Sequence, residues 1–300
     1  MLKRSITGAV ILMLTLLFVV LKQFSPIFFD VYVLIFMYGS LYEMYKAHQI
    51  SGKDADFVSL FFVPIFSCIA FNLEQNYTKA LLYVGLMAIA VLIISLSGEI
   101  ITFSKDRRYG TTEKNISVLN QSLFNKTKQT MMVFAYPVLP LLFLMALNHI
   151  VYDLSYIGLI LTFAISMLTD TCAYLVGKFF GKRKFIPEVS PNKTIAGVAG
   201  GFAGGIIGSL VCYLIFYNTS LFKLASFGSQ GLLISVFLII GVVGSFITQL
   251  GDLIASAYKR KHSIKDFSNV FPGHGGFMDR ADGLMFNAVL IYIVFIIFLV

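Results

Sequence analysis

Charge is scarce in this sequence. Of its 300 residues only 13% are Asp, Glu, Lys or Arg, against about a quarter in a soluble domain. An ordinary water-soluble globule is excluded on that ground. Cysteine is nearly absent too. Cys68, Cys172 and Cys212 all lie inside apolar runs, with neither disulfide nor zinc spacing, so they read as small hydrophobes and fix no redox compartment. No internal repeat is visible, and no glycine-rich P-loop. The first apolar run, Ala9 to Leu21 behind Lys3 and Arg4, is followed by no small-residue cleavage site. It reads as a retained first helix rather than a signal peptide.

What fills the sequence is hydrocarbon, 58% of all residues. A membrane span needs roughly 20 mostly apolar residues. Nine segments qualify, near 6–24, 26–45, 57–73, 79–103, 130–148, 154–178, 195–217, 232–256 and 284–300. The long apolar blocks favour helices over a barrel, whose strands alternate. The expected fold is all-α, a polytopic transmembrane bundle of about nine helices forming one integral membrane domain over 1–300. Pro26 makes the first two segments a tight hairpin, and Pro137 and Pro140 kink the fifth. The polar stretch 104–129 reads as a loop.

Lys and Arg are distributed unevenly. Of 23, all but Lys22, Lys79 and Lys223 fall at the amino terminus or in the stretches 46–56, 104–129, 178–194 and 257–283. The positive-inside rule then places the amino terminus and the large loops in the cytoplasm. The net charge of +8 follows from that rule and calls for no nucleic-acid partner. Attraction to anionic headgroups adds to it.

Against this background the stretch FPGHGGFMDRADG, Phe271 to Gly283, stands out, because it gathers charge just before the last apolar run. An acid at the bilayer centre costs about 2.5–3.5 kcal/mol on insertion scales. Asp170, Asp252, Asp279, Asp282 and Glu188 nevertheless lie in or beside the later spans. Glu43 and Glu99 sit near helix ends and read as snorkelling to water. Asp279 and Asp282, three apart, share a helix face and can reach one magnesium ion, or two ions roughly 4 Å apart. They can equally complement a helix dipole with no chemistry. Lys259, Arg260, Lys261, Lys265 and Arg280 are interleaved with these acids, a composition suited to a cation and phosphate together. His274, between Pro272-Gly273 and Gly275-Gly276, is either a substrate contact or a turn residue. Upstream, SPNKTIAGVAGGFAGG puts Lys193 and Thr194 at the start of an apolar run. Thr194 is the expected N-cap, at a terminus suited to anions. The glycines from Gly197 to Gly208 read as a close-packing seam. Asp170 opens DTCAYLVGKFFGKRKF, placed either to orient substrate or to neutralise a lysine. The region 165–283 thus carries the chemistry, and 1–150 has lower functional density.

The run S-x-x-K-R-x4-K-D-x-S-x2-F-P-x-H-G-G-F-x-D-R-x-D, Ser256 to Asp282, resembles the signature of the CDP-diacylglycerol synthases, or phosphatidate cytidylyltransferases. GDL, SPNKT and DTCAYLVGKFFGK resemble that family's blocks, in order. Over the first half only the apolar layout and Tyr42-Glu43 fit. Ala255 and Ala196 stand where the family usually has an acid, and Tyr258 and Ala281 also depart from the pattern. The resemblance implies transfer of the cytidylyl group of CTP to phosphatidic acid, with magnesium and room for a second cation. It makes Asp252, Asp279 and Asp282 the metal ligands, and Lys259 and Arg260 phosphate holders. Ser190, Lys193 and Thr194 would bind the nucleotide phosphates, with Asp170, His274 and Arg280 near the substrates. The rival readings are a CTP-dependent enzyme acting on another lipid phosphate or alcohol, and a cation-coupled transporter. A homodimer is one assembly open to such a chain. In a bacterium its place is the cell membrane, with the active site facing the cytoplasm.

Overall fold

A computed structural model describes residues 2–52, 55–73, 113–150, 152–217 and 230–298, with isolated positions between 79 and 97. The described chain is helical apart from one short hairpin. In order it comprises α1 (Leu2–Leu21), α2 (Pro26–Ser51), α3 (Phe57–Leu73), α4 (Glu113–Val133), a π-helical turn (Phe134–Val138) and α5 (Leu139–Asn148). Then come α6 (Tyr152–Phe180), β1 (Lys184–Ile186), β2 (Ser190–Thr194), α7 (Ile195–Tyr217), α8 (Gln230–Lys261) and α9 (Met278–Phe298). Six helical stretches among the described residues are long and apolar enough to cross a membrane: Pro26–Ser51, Phe124–Asn148, Leu154–Phe180, Ile195–Tyr217, Gly231–Lys261 and Met278–Ile297. Thr7–Leu21 and Leu60–Leu73 are shorter apolar helices. The span expected at 79–103, and Glu99 with it, falls largely outside the described residues.

The expected hairpin at Pro26 forms, with the Ser25 side chain accepting from the Ile27 N–H. The kink in the fifth segment forms as well. Pro137 offers no N–H, and Tyr136 leaves the helical region at φ −152°, ψ 106°. The loop expected over 104–129 is corrected in its second half, where residues from Glu113 onward are helical. Polarity there does not break the helix, since neither Gly nor Pro interrupts it. The ninth helix starts at Met278, six residues before the apolar run. Its first turns therefore carry the charged residues Asp279, Arg280 and Asp282 ahead of the apolar run.

The most extensive contact is between α6 and α7. A Cβ at Gly197, Gly200 or Gly208 would come within 2.9 Å of the carbonyl oxygens of Ala173, Cys172 or Ala164 respectively. One at Gly204 would overlap that of Leu168. Gly201 and Gly205 abut Gln249 and Ser245 of α8 in the same way. The seam is therefore backbone against backbone, as the four-residue glycine spacing suggested. Gly204→Val is expected to destabilise by about 3 kcal/mol or more, because a carbonyl cannot yield as a side chain does. Thermal unfolding in detergent measures it.

At the opposite end from the basic residues, α2, α3 and α5 are tied by one buried carboxylate. Asp30 accepts from Asn72 Nδ2 at 2.7 Å, Asn148 Nδ2 at 2.8 Å and His149 Nε2 at 2.8 Å. Lys22 donates to the Asn148 carbonyl at 2.8 Å.

Candidate active site

Four pieces of backbone converge at the basic end of the bundle: the last turns of α6, the β1–β2 hairpin leading into α7, the last turns of α8, and the first turns of α9. The hairpin is antiparallel, with Lys184 opposite Thr194 and Ile186 opposite Ser190. Thr194 closes it as the N-cap of α7, its Oγ1 accepting from the Gly197 N–H at 3.1 Å. That fixes the neighbouring Lys193, whose Nζ lies 2.7 Å from Asp252 Oδ2 and donates to the Gln249 carbonyl at 3.2 Å. Hairpin and α8 are thereby joined at the acid. Arg260 holds the same hairpin through the Val189 carbonyl at 3.4 Å.

Asp252 and Asp282 meet because α8 and α9 cross at glycines. A Cβ at Gly251 would overlap the Asp282 carbonyl oxygen, and one at Gly283 would press on Thr248. Asp282 accepts from the Gly283 N–H at 2.8 Å. Its electrostatic neighbours are Asp252, Asp170 and Arg280. Asp170 feels Asp252, Lys193 and Arg280. Three acids, a lysine and an arginine thus lie within electrostatic reach of one another.

Asp279 is buried beside them and differently engaged. Its Oδ1 accepts from Lys259 Nζ at 2.7 Å, and its Oδ2 from the N–H groups of Phe267 at 3.1 Å and Gly276 at 2.9 Å. Asp279 therefore holds the 262–277 loop against α9 and keeps Lys259 at the site. His274 lies in a tight turn between Gly273 and Gly275, both at φ 79°, values a side chain disfavours. Its ring packs against Gly8 of α1. Ser190 is half-buried at the start of β2. Glu188 is exposed on the hairpin. Of the departures from the family pattern, Ala255, Ala281 and Tyr258 are buried core residues, and Ala196 is half-buried in the first turn of α7.

Hard carboxylate oxygens suit magnesium. Among the described residues no three His, Cys, Asp or Glu side chains are close enough together to ligate one ion. Two carboxylates, with phosphate and water, are what magnesium commonly takes from a protein, so Asp252 and Asp282 fit it.

Sequence reasoning misjudged Glu43. Far from reaching water, it is 1% exposed. Its Oε1 accepts from the Phe277 N–H at 2.8 Å and the Ser268 hydroxyl, and its Oε2 from the Met278 N–H at 2.8 Å. It caps the amino terminus of α9 from α2, where the helix dipole favours an anion. The Tyr42-Glu43 pair was the available signal.

The sequence profile of the cytidylyltransferase family matches residues 2–298. A phosphatidate cytidylyltransferase of Staphylococcus saprophyticus is 31% identical over 230 residues, covering 75% of this chain and 84% of that protein. Those of Staphylococcus aureus (strain COL) and Bacillus subtilis (strain 168) are 42% and 41% identical over 134 and 130 residues. These two alignments cover 45% and 43% of this chain, and 47% and 44% of the relatives.

Proposed function

The chain belongs to the cytidylyltransferase family, and on that premise we propose that it transfers the cytidylyl group of CTP to phosphatidic acid, releasing pyrophosphate. The observation that carries this reading is the gathering of charge at one place. Asp252, Asp282 and Asp170 lie within electrostatic reach of one another among Lys193, Arg280 and, two turns further along α8 from Asp252, Lys259 and Arg260.

The reaction joins a phosphate oxygen of phosphatidic acid to the α-phosphorus of CTP. The bond from that phosphorus to the bridging oxygen breaks, and its electron pair leaves with pyrophosphate. The nucleophile is already anionic near neutral pH, so no protein base is required. The obstacle is repulsion between two polyanions. Lys193 and Lys259, each paired with an acid at 2.7 Å, supply ammonium groups that can turn to a phosphate when one arrives. Arg260 and Arg280 add fixed positive charge, worth most where water is excluded. The N-terminus of α7, beside Ser190 and Thr194, turns the positive end of its dipole toward the nucleotide phosphates. Asp252 and Asp282 would hold a magnesium ion, which when bound neutralises charge developing on the pyrophosphate. Asp279 becomes available to it if Lys259 turns away.

We place the amino terminus and this site in the cytoplasm, and nine crossings in the cytoplasmic membrane, on the distribution of Lys and Arg. The acyl chains then stay in the bilayer while the headgroup meets CTP at its inner edge. Purified protein with labelled CTP, magnesium and phosphatidic acid is expected to form a lipid-linked cytidylate. Formation only with another lipid phosphate or alcohol would redirect the substrate, and ion flux without nucleotide turnover would end the proposal.

A further inference from the structure

The π-helical turn between α4 and α5 delivers one side chain that the reaction as described does not use. Tyr136 is 8% exposed. Its ring stacks on Phe286 of α9, with centroids 5.7 Å apart and planes 14° from parallel. Phe286 is one helical turn beyond Asp282, and it also presses on Gly251, next to Asp252. A second ring, Tyr258, stands 6.0 Å away, adjacent to Lys259 in sequence. The phenol of Tyr136 is thus fixed by two rings, each belonging to an element of the cleft.

Its hydroxyl is buried and has no hydrogen-bond partner among the described residues. Native proteins seldom leave such a group unpaired without a purpose. The charges surrounding it are Asp282, Asp279 and Asp252. Asp279 has its oxygens taken by Lys259, Phe267 and Gly276. Asp252 is paired with Lys193. Asp282 has one oxygen on its neighbouring N–H and capacity to accept more. Tyr136 is extended where the chain kinks before Pro137, so its side chain leaves the face that the helical residues on either side share.

We propose that Tyr136 is a positioning residue for the cation-holding acids, its O–H donating through one bridging water to the Asp282 carboxylate. This rests on the reading of Asp252 and Asp282 as the cation pair. A neutral donor orients the carboxylate without competing for the ion as a lysine would. Groups that hydrogen-bond a metal-ligating carboxylate typically change metal affinity or activity by about 10–100-fold when removed.

Tyr136→Phe tests this cleanly, because the ring and its stacking stay and only the hydroxyl goes. Mn²⁺ binding by the purified full chain in detergent, followed by electron paramagnetic resonance without substrates, reads the cation site directly. The expected result is a dissociation constant about tenfold higher or more, with an unchanged melting temperature and a matching rise in the magnesium needed for half-maximal turnover. Tyr136→Phe that binds Mn²⁺ like wild type, while Asp282→Asn does not, overturns the inference and leaves the reading of the acids intact. Wild-type protein that binds no Mn²⁺ overturns both. A melting temperature that falls as far in Tyr136→Phe as in Tyr136→Leu would make the hydroxyl a packing element, and also overturns it.

Discussion

Asp282→Asn is expected to lower kcat by about two to three orders of magnitude, on the order of 3–4 kcal/mol of lost transition-state stabilisation, while the protein stays folded. Asparagine keeps the shape and the oxygen that accepts from Gly283. It removes the negative charge that holds the cation, and with it the positive charge that the leaving pyrophosphate requires. Stability moves the other way or not at all. Asp282 sits among Asp252 and Asp170, and removing one of several like charges relieves repulsion. Single-turnover kinetics with labelled CTP gives the first quantity, and thermal unfolding in detergent the second. Loss of both together would make Asp282 structural.

Glu43→Ala is expected to lose both. The carboxylate satisfies two backbone N–H groups at the start of α9 and the Ser268 hydroxyl. Each buried donor left without a partner costs roughly 1–3 kcal/mol, so destabilisation of about 3–5 kcal/mol follows. The first two turns of α9 carry Asp279 and Asp282, so turnover falls in the molecules that remain folded. Glu43→Gln keeps one acceptor oxygen and is expected to recover a large part of the melting temperature. A Glu43→Ala protein that melts like wild type would show that the cap is dispensable.

Much of the site was legible because its residues are local in sequence. Asp279, Arg280 and Asp282 fall within four positions, Lys193 and Thr194 are adjacent, and the glycine spacing of α7 repeats every turn. Thr194 forms the expected cap, and the prolines near 137 produce the expected break. Glu43 was misjudged because its partners are more than 220 residues away, and the Tyr42-Glu43 pair marks the residue without revealing the distant helix start that it caps. Tyr136 went unseen for a related reason. Proline signals that a helix is interrupted, but not which side chain the interruption turns inward. The helix from Glu113 was hidden because polar composition alone does not separate a loop from a solvated helix. The rigid pairing of Asp279 with the 262–277 loop needed coordinates, since two acids three apart look alike on paper.

The glycine seam between α6 and α7 has a mechanical consequence. Grooves without Cβ atoms recur every four residues, so one helix can glide along the other only by jumping a whole notch, roughly 6 Å. Smaller slippage drives a carbonyl into a neighbour. Asp170 and the hairpin that leads into α7 therefore belong to a single stiff body. The first half of α8 is geared to it as well, since Gly205 and Gly241 meet backbone to backbone, so Asp252 rides on the same anvil as Asp170.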